Sequence, residues 1–319
     1  MPELPEVETV RIGLSELLPG RIFSAVTHDT DKSFPNAPAD VNAFLIGSSV
    51  TAVRRRAKVL LIELSSNYSL VIHLKMTGQL VFVGKANEGK EERRMKNVEK
   101  RPSSSFGVLH SNPDEVRFGA GHPNDSLVNK LPDKSTRVEF TFTDGSKLFF
   151  NDQRKFGWVK LLPTTEVPNI DFMKKVGPEP LAAEFTSSEF AGRFERRKNT
   201  TIKAAILDQT VVAGVGNIYA DESLWGAKIH PSTLVKDISK AQFSRLFIEL
   251  QYVLNLAIQK GGSSNHTYVN AEGKKGSYMD FARVFRREGL PCPRCGARLV
   301  KLRVAGRGTH ICPKEQKLA

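Results

Sequence analysis

The sequence has few cysteines, few acidic residues relative to basic ones, and no long apolar run. Its 3 cysteines among 319 residues cannot form a framework of paired disulfides, which favours a reducing compartment such as the cytoplasm. No apolar run approaches the ~18 residues of a transmembrane helix, so we expect no membrane partner. The opening residues MPELPEVETV carry three glutamates and no basic residue, unlike a secretory signal peptide.

The charge balance is strongly basic. Lysine and arginine total 47 against 34 aspartates and glutamates, which gives a net charge of +13. A protein this basic usually has a polyanionic partner, either nucleic acid or an anionic membrane, and we favour nucleic acid. Apolar residues at 40% and charged residues at 25% are globular proportions, which exclude wholesale disorder, collagen and coiled coil. The length predicts about two domains.

The apolar periodicity changes along the chain. Between about residues 20 and 84, and again at 137–152, short β-branched runs alternate as strands do. After Pro163 the apolar residues recur at helical spacing. The polar segment 85–136 predicts a long surface insertion, partly disordered. The Gly/Ser/Lys-rich segment 261–280 predicts a mobile loop.

The last 39 residues concentrate positive charge and cysteine. Residues 281–319 hold ten lysines and arginines against two glutamates, so 10 − 2 = +8 of the net charge lies there with all 3 cysteines. Two residues separate Cys292 from Cys295, and sixteen separate Cys295 from Cys312. This is the spacing of a zinc ribbon, in which a hairpin is held by one tetrahedral ion.

The N-terminus predicts a nucleophile. Removal of Met1 would leave Pro2 as a secondary amine, and a free α-amine has a pKa of about 8. Such an amine condenses with a sugar aldehyde to an iminium, which is an electron sink like that of catalytic lysines. PEVETVRIGLSELL predicts a helix whose dipole disfavours protonation of the amine. Glu3 and Glu6 are three residues apart and so lie on one face of this helix beside the amine. One of them can protonate a sugar oxygen while the other positions the ribose. An ordinary helix start with dipole-compensating acids is the alternative.

A basic run predicts contact with phosphate. Arg54, Arg56 and Lys58 alternate along a predicted strand and so share one face. Several like charges on one face favour a track for a phosphate backbone. A solvated strand face is the alternative.

The chain resembles the formamidopyrimidine-DNA glycosylases, bifunctional base-excision enzymes that remove oxidised purines and nick the abasic strand. The resemblance rests on MPELPEVET, AKVLLIEL, HLKMTGQL, NDQRKFGWV, GPEPL, TIKAAILDQ, VVAGVGNIYADESLW and CPRCG, in this order along the chain. It implies an α+β multi-domain fold. A two-layer β-sandwich with a flanking helix is expected over 1–162, a helix-two-turn-helix domain over 163–282, and a zinc-ribbon-like β-hairpin over 283–319.

The resemblance also implies the catalytic residues. Pro2 is the expected Schiff-base nucleophile and Glu3 its acid. Lys58 matches a family lysine that grips phosphate near the damaged nucleotide. Arg307, near the predicted hairpin tip, matches an arginine that contacts phosphate from the minor-groove side. A solvated turn arginine is the alternative for Arg307.

Three further residues match the family's intercalating wedge. Extrusion of a base leaves a gap in the duplex, and the unstacking costs a few kcal/mol. Met76, Arg154 and Phe156 have the side-chain types that fill such a gap. A place in the hydrophobic core is the alternative for Met76 and Phe156.

The remaining expected DNA contacts lie elsewhere. VVAGVG separates two predicted helices, and the resemblance implies that Lys203 and Asn217 bind backbone phosphate there, with Asn217 as an N-cap. A plain helical hairpin is the alternative. Segment 261–280 aligns with the family's base-recognition lid, in which Lys274 is expected to contact the flipped base. Glu6 is counted with the DNA-binding residues.

The zinc motif departs from the family. The family places a fourth cysteine where this chain has Glu315. A Cys3Glu site of Cys292, Cys295, Cys312 and Glu315 is the expectation, because a carboxylate can ligate zinc. His310 as fourth ligand, and a hairpin held by packing with weak or no metal, stay open.

These observations predict a monomeric enzyme that excises formamidopyrimidines and 8-oxoguanine from damaged double-stranded DNA and nicks it by β,δ-elimination. Action at the nucleoid, in a bacterial cytoplasm, is expected. One alternative is an endonuclease VIII-type enzyme specific for oxidised pyrimidines, although Leu4 favours the purine branch. The other is a non-catalytic binder of damaged DNA, which has no need of a secondary amine beside a carboxylate.

Overall fold

The computed structural model describes residues 2–85, 108–112, 115–121, 130–263 and 278–318, with backbone only for 108–112, 115, 120 and 121. Contacts divide the chain into two units. The first unit comprises Met1–Lys174 and Ile258–Ser277. The second unit comprises Lys175–Ala257 and Tyr278–Ala319. Within the described residues, no helix has the length and apolarity that a membrane crossing requires.

The first unit contains two antiparallel sheets. Its strands are β1 (Phe23–His28), β2 (Val50–Arg56), β3 (Val59–Leu64), β4 (Tyr68–His73), β5 (Gly78–Gly84), β6 (Val108–Asn112), β7 (Glu115–Gly121), β8 (Thr136–Phe142), β9 (Lys147–Asp152) and β10 (Trp158–Pro163). Six strands pair in the order β1-β8-β9-β5-β7-β6, and four in the order β10-β4-β3-β2. The predicted strand regions are therefore confirmed.

One hydrophobic core lies between these sheets. Ile62 of β3 and Phe140 and Phe150 of the larger sheet belong to it, because alternate residues of each strand face inward. Helix α1 (Leu4–Leu17) adds Val10 and neighbours at helical spacing. The sandwich with its flanking helix confirms the expected α+β fold.

The expectation of a surface insertion over 85–136 is wrong for Glu115–Gly121. β7 pairs with β5 inside the six-stranded sheet, and Val116 and Phe118 are buried. The strand is short and lies among polar residues, so its alternation is inconspicuous in the sequence. Residues 86–107, 113, 114 and 122–129 lie outside the described part of the chain.

The first unit also extends beyond the predicted boundary at residue 162. After β10 come a 3-10 helix, Thr164–Asn169, and helix α3 (Asp171–Lys175), while α2 (Pro38–Phe44) lies earlier in the unit. Val167 and Phe172 pack against Val59. This outer apolar cluster joins residues 163–174 to the four-stranded sheet.

The second unit is helical and ends in a hairpin. Its helices are α4 (Ser187–Arg193), α5 (Ile202–Leu207), α6 (Asn217–Gly226) and α7 (Lys240–Gln259), and its strands are β11 (Val300–Val304) and β12 (Arg307–Ile311). Phe190, Tyr219 and Leu250 lie in its main core. Trp225 of α6 packs with Cys292 and Cys312, so the hairpin shares this unit with the helices.

Candidate functional site

The N-terminal residues form a capping box at the start of α1. Pro2 and Glu3 are buried, and Glu3 is the N-cap. The Glu3 backbone N–H donates to Glu6 Oε2 at 2.8 Å, and the Glu3 side chain accepts from the Glu6 backbone. Pro2 is thereby fixed at a helix N-terminus beside two carboxylates, as the sequence predicts.

Glu6 has a second backbone partner. Its Oε1 accepts from the Ser263 N–H at 2.7 Å, and a Cβ on Gly262 would lie 3.1 Å from that oxygen. Glu6 therefore anchors the residues that follow α7 to the helix that begins beside Pro2. Its predicted contact with the ribose stays a prediction.

Lys58 lies in a turn instead of on a strand face. Arg56 pairs with Val59, so Ala57 and Lys58 form the two-residue turn between β2 and β3, with Ala57 at φ +52°. The alternation assumed for a continuous strand ends there, and the Lys58 side chain is only 5% exposed. The predicted shared face with Arg54 is therefore wrong.

The neighbouring arginines are also engaged by the protein. Arg54 forms an ion pair with Glu63 at 2.8 Å, and Arg55 one with Glu8 of α1 at 2.8 Å. These contacts tie β2 to its neighbours, which weakens the case for a continuous phosphate track along this strand.

His73 was missed by the sequence analysis. Burial, and after it the positive charges of Lys75 and Lys58, lower the pKa of the imidazole to about 3. Its Nδ1 accepts from the Lys75 backbone N–H at 3.0 Å. A neutral imidazole therefore lies near the Lys58 ammonium. The signal was present in HLKMTGQL, where the histidine precedes a lysine and the predicted wedge methionine.

The predicted wedge residues lie together at the surface. Arg154 Nη1 is 3.1 Å from Met76 Sδ, and the guanidinium lies 4.9 Å from the Phe156 ring centroid. Met76 is 39% exposed and Phe156 is 47% exposed. The alternative of core positions for these two residues is wrong, because each is a large apolar side chain in contact with solvent.

Two polar side chains hold the turn that carries Arg154 and Phe156, and the sequence analysis missed both. Asp152 is fully buried, and its Oδ2 accepts from the backbone N–H groups of Phe156 and Gly157 at 2.8 and 2.7 Å. Thr77 Oγ1 accepts from the Arg154 N–H at 3.1 Å and donates to Asp152. The turns bearing Met76 and Phe156 are thereby joined.

In the second unit, Lys203 is not available to DNA. Its Nζ donates to Asp221 Oδ1 at 2.5 Å and to Thr309 Oγ1 at 2.7 Å, and its side chain is fully buried. A buried ammonium requires a carboxylate partner, and here the partner lies on α6. The expectation of a direct phosphate contact is therefore wrong for this conformation.

Asn217 is the first residue of α6, and Gly216 is the N-cap, so the predicted capping role is wrong. Asn217 Nδ2 donates to the Gly308 carbonyl at 3.0 Å, while its Oδ1 is buried and has no hydrogen-bond partner among the residues that the structure describes. Lys203 Nζ lies 3.4 Å from the same carbonyl. Both residues therefore meet the hairpin next to Arg307.

Arg307 follows the tip of the hairpin, as predicted. Val304 pairs with Arg307, which leaves Ala305 and Gly306 as a two-residue turn with φ values of +50° and +73°. Both positive values are typical of a type I′ turn. Arg307 is exposed, with its guanidinium available to an anion in solution.

The three cysteines lie together. The sulfurs of Cys292, Cys295 and Cys312 are within 4.8 Å of one another, and those of Cys295 and Cys312 are 3.4 Å apart. Around a tetrahedral ion with Zn–S bonds of about 2.3 Å, sulfurs lie about 3.8 Å apart. The arrangement and the soft donors therefore fit zinc.

The expected fourth ligand, Glu315, and the alternative, His310, both have other partners. Glu315 Oε2 contacts Lys228 Nζ at 2.9 Å and Arg294 Nη1 at 3.3 Å. His310 Nδ1 is 3.2 Å from Asp221 Oδ2. In the described part of the chain, no other His, Cys, Asp or Glu joins the three thiols. The predicted ligation by Glu315 is therefore wrong, because basic side chains hold its carboxylate.

A further buried carboxylate escaped the sequence analysis. Glu222 of α6 accepts from the backbone N–H groups of Val284 and Phe285, both at 2.8 Å, and from the Tyr278 hydroxyl at 3.3 Å. It fixes the chain directly after residues 264–277. Those residues, which include the predicted base contact Lys274, lie outside the described part of the chain.

Comparison with known proteins gives three matches along the chain. The N-terminal domain of formamidopyrimidine-DNA glycosylase matches residues 1–159, and the H2TH domain of the same enzyme matches residues 176–269. The zinc finger found in FPG and IleRS matches residues 289–314.

Relatives match this chain over nearly its whole length. Formamidopyrimidine-DNA glycosylase of Latilactobacillus sakei is 37% identical over 316 residues, covering 99% of this chain and 98% of its own. That of Streptococcus pyogenes serotype M6 is 39% identical over 318 residues, covering 99% of both. The chain belongs to the formamidopyrimidine-DNA glycosylase family.

Solved structures of the family superpose on the whole chain. The complex of Lactococcus lactis Fpg with DNA containing an abasic site has a TM-score of 0.77 at 31% identity, covering 99% of both chains. MutM (Fpg) from Thermus thermophilus has a TM-score of 0.74 at 32% identity, covering 100% of both. The sandwich, helical region and hairpin are thus those of the formamidopyrimidine-DNA glycosylase family.

Proposed function

We propose that this protein excises oxidised purines from damaged double-stranded DNA and nicks the abasic strand, with Pro2 as its nucleophile. Glycosylase and abasic-site lyase activity in base-excision repair is the function of the family. The observation that carries the assignment to Pro2 is its place at the start of α1, directly before the reciprocal capping box of Glu3 and Glu6.

The chemistry requires loss of Met1 and a neutral amine. The positive end of the α1 dipole disfavours protonation of Pro2 nitrogen, which keeps its lone pair available. That lone pair attacks C1′ of the damaged nucleoside, and the bond to the base breaks with its electron pair leaving on the base. Glu3 gives a proton to the sugar ring oxygen as the ring opens.

The iminium formed on Pro2 then acts as an electron sink. It acidifies the C2′ hydrogen, so loss of that proton expels the 3′ phosphate in a β-elimination. A second elimination expels the 5′ phosphate, and hydrolysis of the iminium releases the sugar remnant and the amine. Lys58, held near the neutral His73, supplies positive charge for a nearby phosphate.

Each unit carries residues suited to contact DNA. Exposed Met76, Arg154 and Phe156 are suited to fill the gap left by an extruded base, and the Asp152 turn fixes two of them. Exposed Arg307 binds a backbone phosphate, and Asn217 orients the hairpin that carries it. We assign Lys203 to the same positioning role.

We propose that zinc has a structural role in this protein. Cys292, Cys295 and Cys312 would hold it, and the ion would stabilise the hairpin subdomain. The site takes no part in the sugar chemistry. We further propose that the protein acts as a monomer on the bacterial nucleoid in the cytoplasm.

Borohydride trapping tests the nucleophile. With a duplex containing 8-oxoguanine, reduction of the iminium should link the protein covalently to DNA, and Pro2→Gly should lose both the adduct and the nick. Pro5→Ala is the matched control, since Pro5 lies in the first turn of α1 and alanine suits a helix. Intact mass of the purified chain establishes whether Met1 has been removed.

The outcomes separate the alternatives. A Pro2→Gly variant that traps and nicks like the parent would refute the assignment, as would full activity in a chain that retains Met1. Faster cleavage of thymine-glycol duplexes than of 8-oxoguanine duplexes would favour the endonuclease VIII-type enzyme. Tight binding of damaged duplex without a nick would favour the non-catalytic binder.

A further inference from the structure

The turn after Cys312 has the backbone geometry of a metal-binding knuckle. The backbone N–H groups of Lys314 and Glu315 donate to the Cys312 sulfur. The Gln316 N–H donates to the Cys312 carbonyl at 2.9 Å, and Gln316 Oε1 accepts from the Cys312 N–H at 3.0 Å. Position 315 therefore lies in an intact knuckle although its residue is not cysteine.

The Glu315 carboxylate forms ion pairs with two basic side chains. Lys228 Nζ lies 2.9 Å and Arg294 Nη1 3.3 Å from Oε2, and these partners lower the pKa of the carboxyl group. Arg294 is itself fixed, because its guanidinium lies 4.0 Å from the Trp225 ring centroid and donates to the Gly226 carbonyl.

The length of the side chain also disfavours ligation by Glu315. A carboxylate oxygen of glutamate is two bonds farther from Cβ than a cysteine sulfur, whereas Zn–O bonds of about 2.0–2.2 Å are slightly shorter than Zn–S bonds of about 2.3 Å. If the Cβ of residue 315 lies where the Cβ of a cysteine ligand would lie, a glutamate oxygen reaches past the ion unless the side chain bends back.

We infer that the zinc site of this chain has three protein thiolates, from Cys292, Cys295 and Cys312, and a fourth position filled by an exchangeable ligand from solution. Water fills it by default, and small anions or thiols are the class of ligand that can replace it. Structural zinc sites are normally closed by four protein ligands. Glu315 instead serves as an ion-pair contact between the knuckle and the end of α6.

Cobalt substitution of the full-length protein tests this inference. Co(II) replaces zinc at thiolate sites, and its d–d absorption reports the ligand set. Azide is the probe for the exchangeable position, added to the cobalt-loaded wild type, Glu315→Gln and Glu315→Cys. We expect azide to shift the bands of the wild type and Glu315→Gln alike and to leave those of Glu315→Cys unchanged, because a fourth thiolate closes the site.

Zinc affinity provides a second readout, measured by competition with a chromophoric chelator. Glu315→Cys should bind zinc at least about tenfold more tightly, since even changes outside the ligand shell alter affinity by about tenfold to 100-fold. Glu315→Gln should match the wild type. Far-UV circular dichroism verifies that each variant is folded.

Three results would overturn the inference. An altered cobalt spectrum or weaker zinc binding in Glu315→Gln would make Glu315 a ligand. A wild-type spectrum unaffected by azide would mean a closed site. Failure of the folded wild type to take up cobalt would mean that the three thiols do not form a metal site. None of these results bears on the assignment of Pro2.

Discussion

At the scale of single residues, the buried ion pair of Lys203 and Asp221 has the largest expected effect on stability. Asp221 accepts from Lys203 on one oxygen and from the His310 N–H on the other, and both charged side chains are fully buried. Loss of one partner leaves an uncompensated charge inside the protein.

We therefore expect Asp221→Asn to lower the free energy of unfolding by about 3–5 kcal/mol, measured by urea denaturation. Glu195→Gln is the control, because it breaks the exposed ion pair of Glu195 with Lys198, and such pairs contribute at most about 1 kcal/mol. Equal effects of the two substitutions would contradict a role for burial.

His73 predicts a pH dependence of stability. Its folded pKa of about 3 lies below its ordinary value of 6.5, so between these values the unfolded chain binds a proton that the folded protein does not. Stability is therefore lost as pH falls from neutrality. Protonation of His73 in the unfolded chain alone lowers the free energy of unfolding by about 2 kcal/mol between pH 7 and pH 5.

His73→Asn should remove this part of the pH dependence, because its amide oxygen can accept from the Lys75 N–H without taking up a proton. The measurement is urea denaturation at pH 7 and pH 5. The control is His28→Asn, at a partly exposed imidazole. An unchanged loss of stability in His73→Asn would show that other groups cause it.

At the scale of elements, the hairpin of β11 and β12 contains a turn that can be improved. Ala305 has φ +50°, a left-handed conformation that costs a residue with a Cβ about 1–2 kcal/mol. Asparagine tolerates this conformation, and Asn-Gly is the preferred type I′ pair.

Ala305→Asn should raise the thermal midpoint of unfolding, and Ala305→Val should lower it, each by an amount equivalent to about 0.5–1 kcal/mol, a fraction of the left-handed penalty. Differential scanning calorimetry measures both. Because Ala305 is exposed, the substitutions test the turn and not packing. A stabilising valine would refute the type I′ assignment.

At the scale of the whole molecule, the charge of +13 predicts steeply salt-dependent binding to DNA. Each phosphate contact contributes about −0.9 to the slope of log affinity against log salt concentration. Fluorescence anisotropy with a duplex carrying a tetrahydrofuran abasic analogue measures this slope without cleavage.

Arg307→Ala should make that slope less steep by about one, because it removes one phosphate contact. Lys236→Ala is the control, because it removes the same charge at an exposed position that is not among the expected DNA contacts. It should leave the slope unchanged. An identical slope in Arg307→Ala and the wild type would exclude the predicted phosphate contact.

The predictions from sequence succeeded where the signal was local. Helix α1 and the strands around residues 50–84 follow from periodicity, whereas the wedge of Met76 and Arg154, which are 78 residues apart, was expected only from the family resemblance. They failed for Lys58, because a two-residue turn interrupts the alternation, and for Lys203, because its partner Asp221 is distant in the sequence.

Residue types at fixed spacing were enough to identify the family and the three thiols, and to predict the nucleophile and the acid at the N-terminus. Which charged groups pair with one another became evident only in the folded protein. In the sequence, Lys203 is a candidate phosphate contact and Glu315 a candidate zinc ligand. In the structure, Lys203 forms a buried ion pair with Asp221, and Glu315 forms an ion pair with Lys228. The reason is that an ion pair depends on distance in space, and spacing along the chain does not report it.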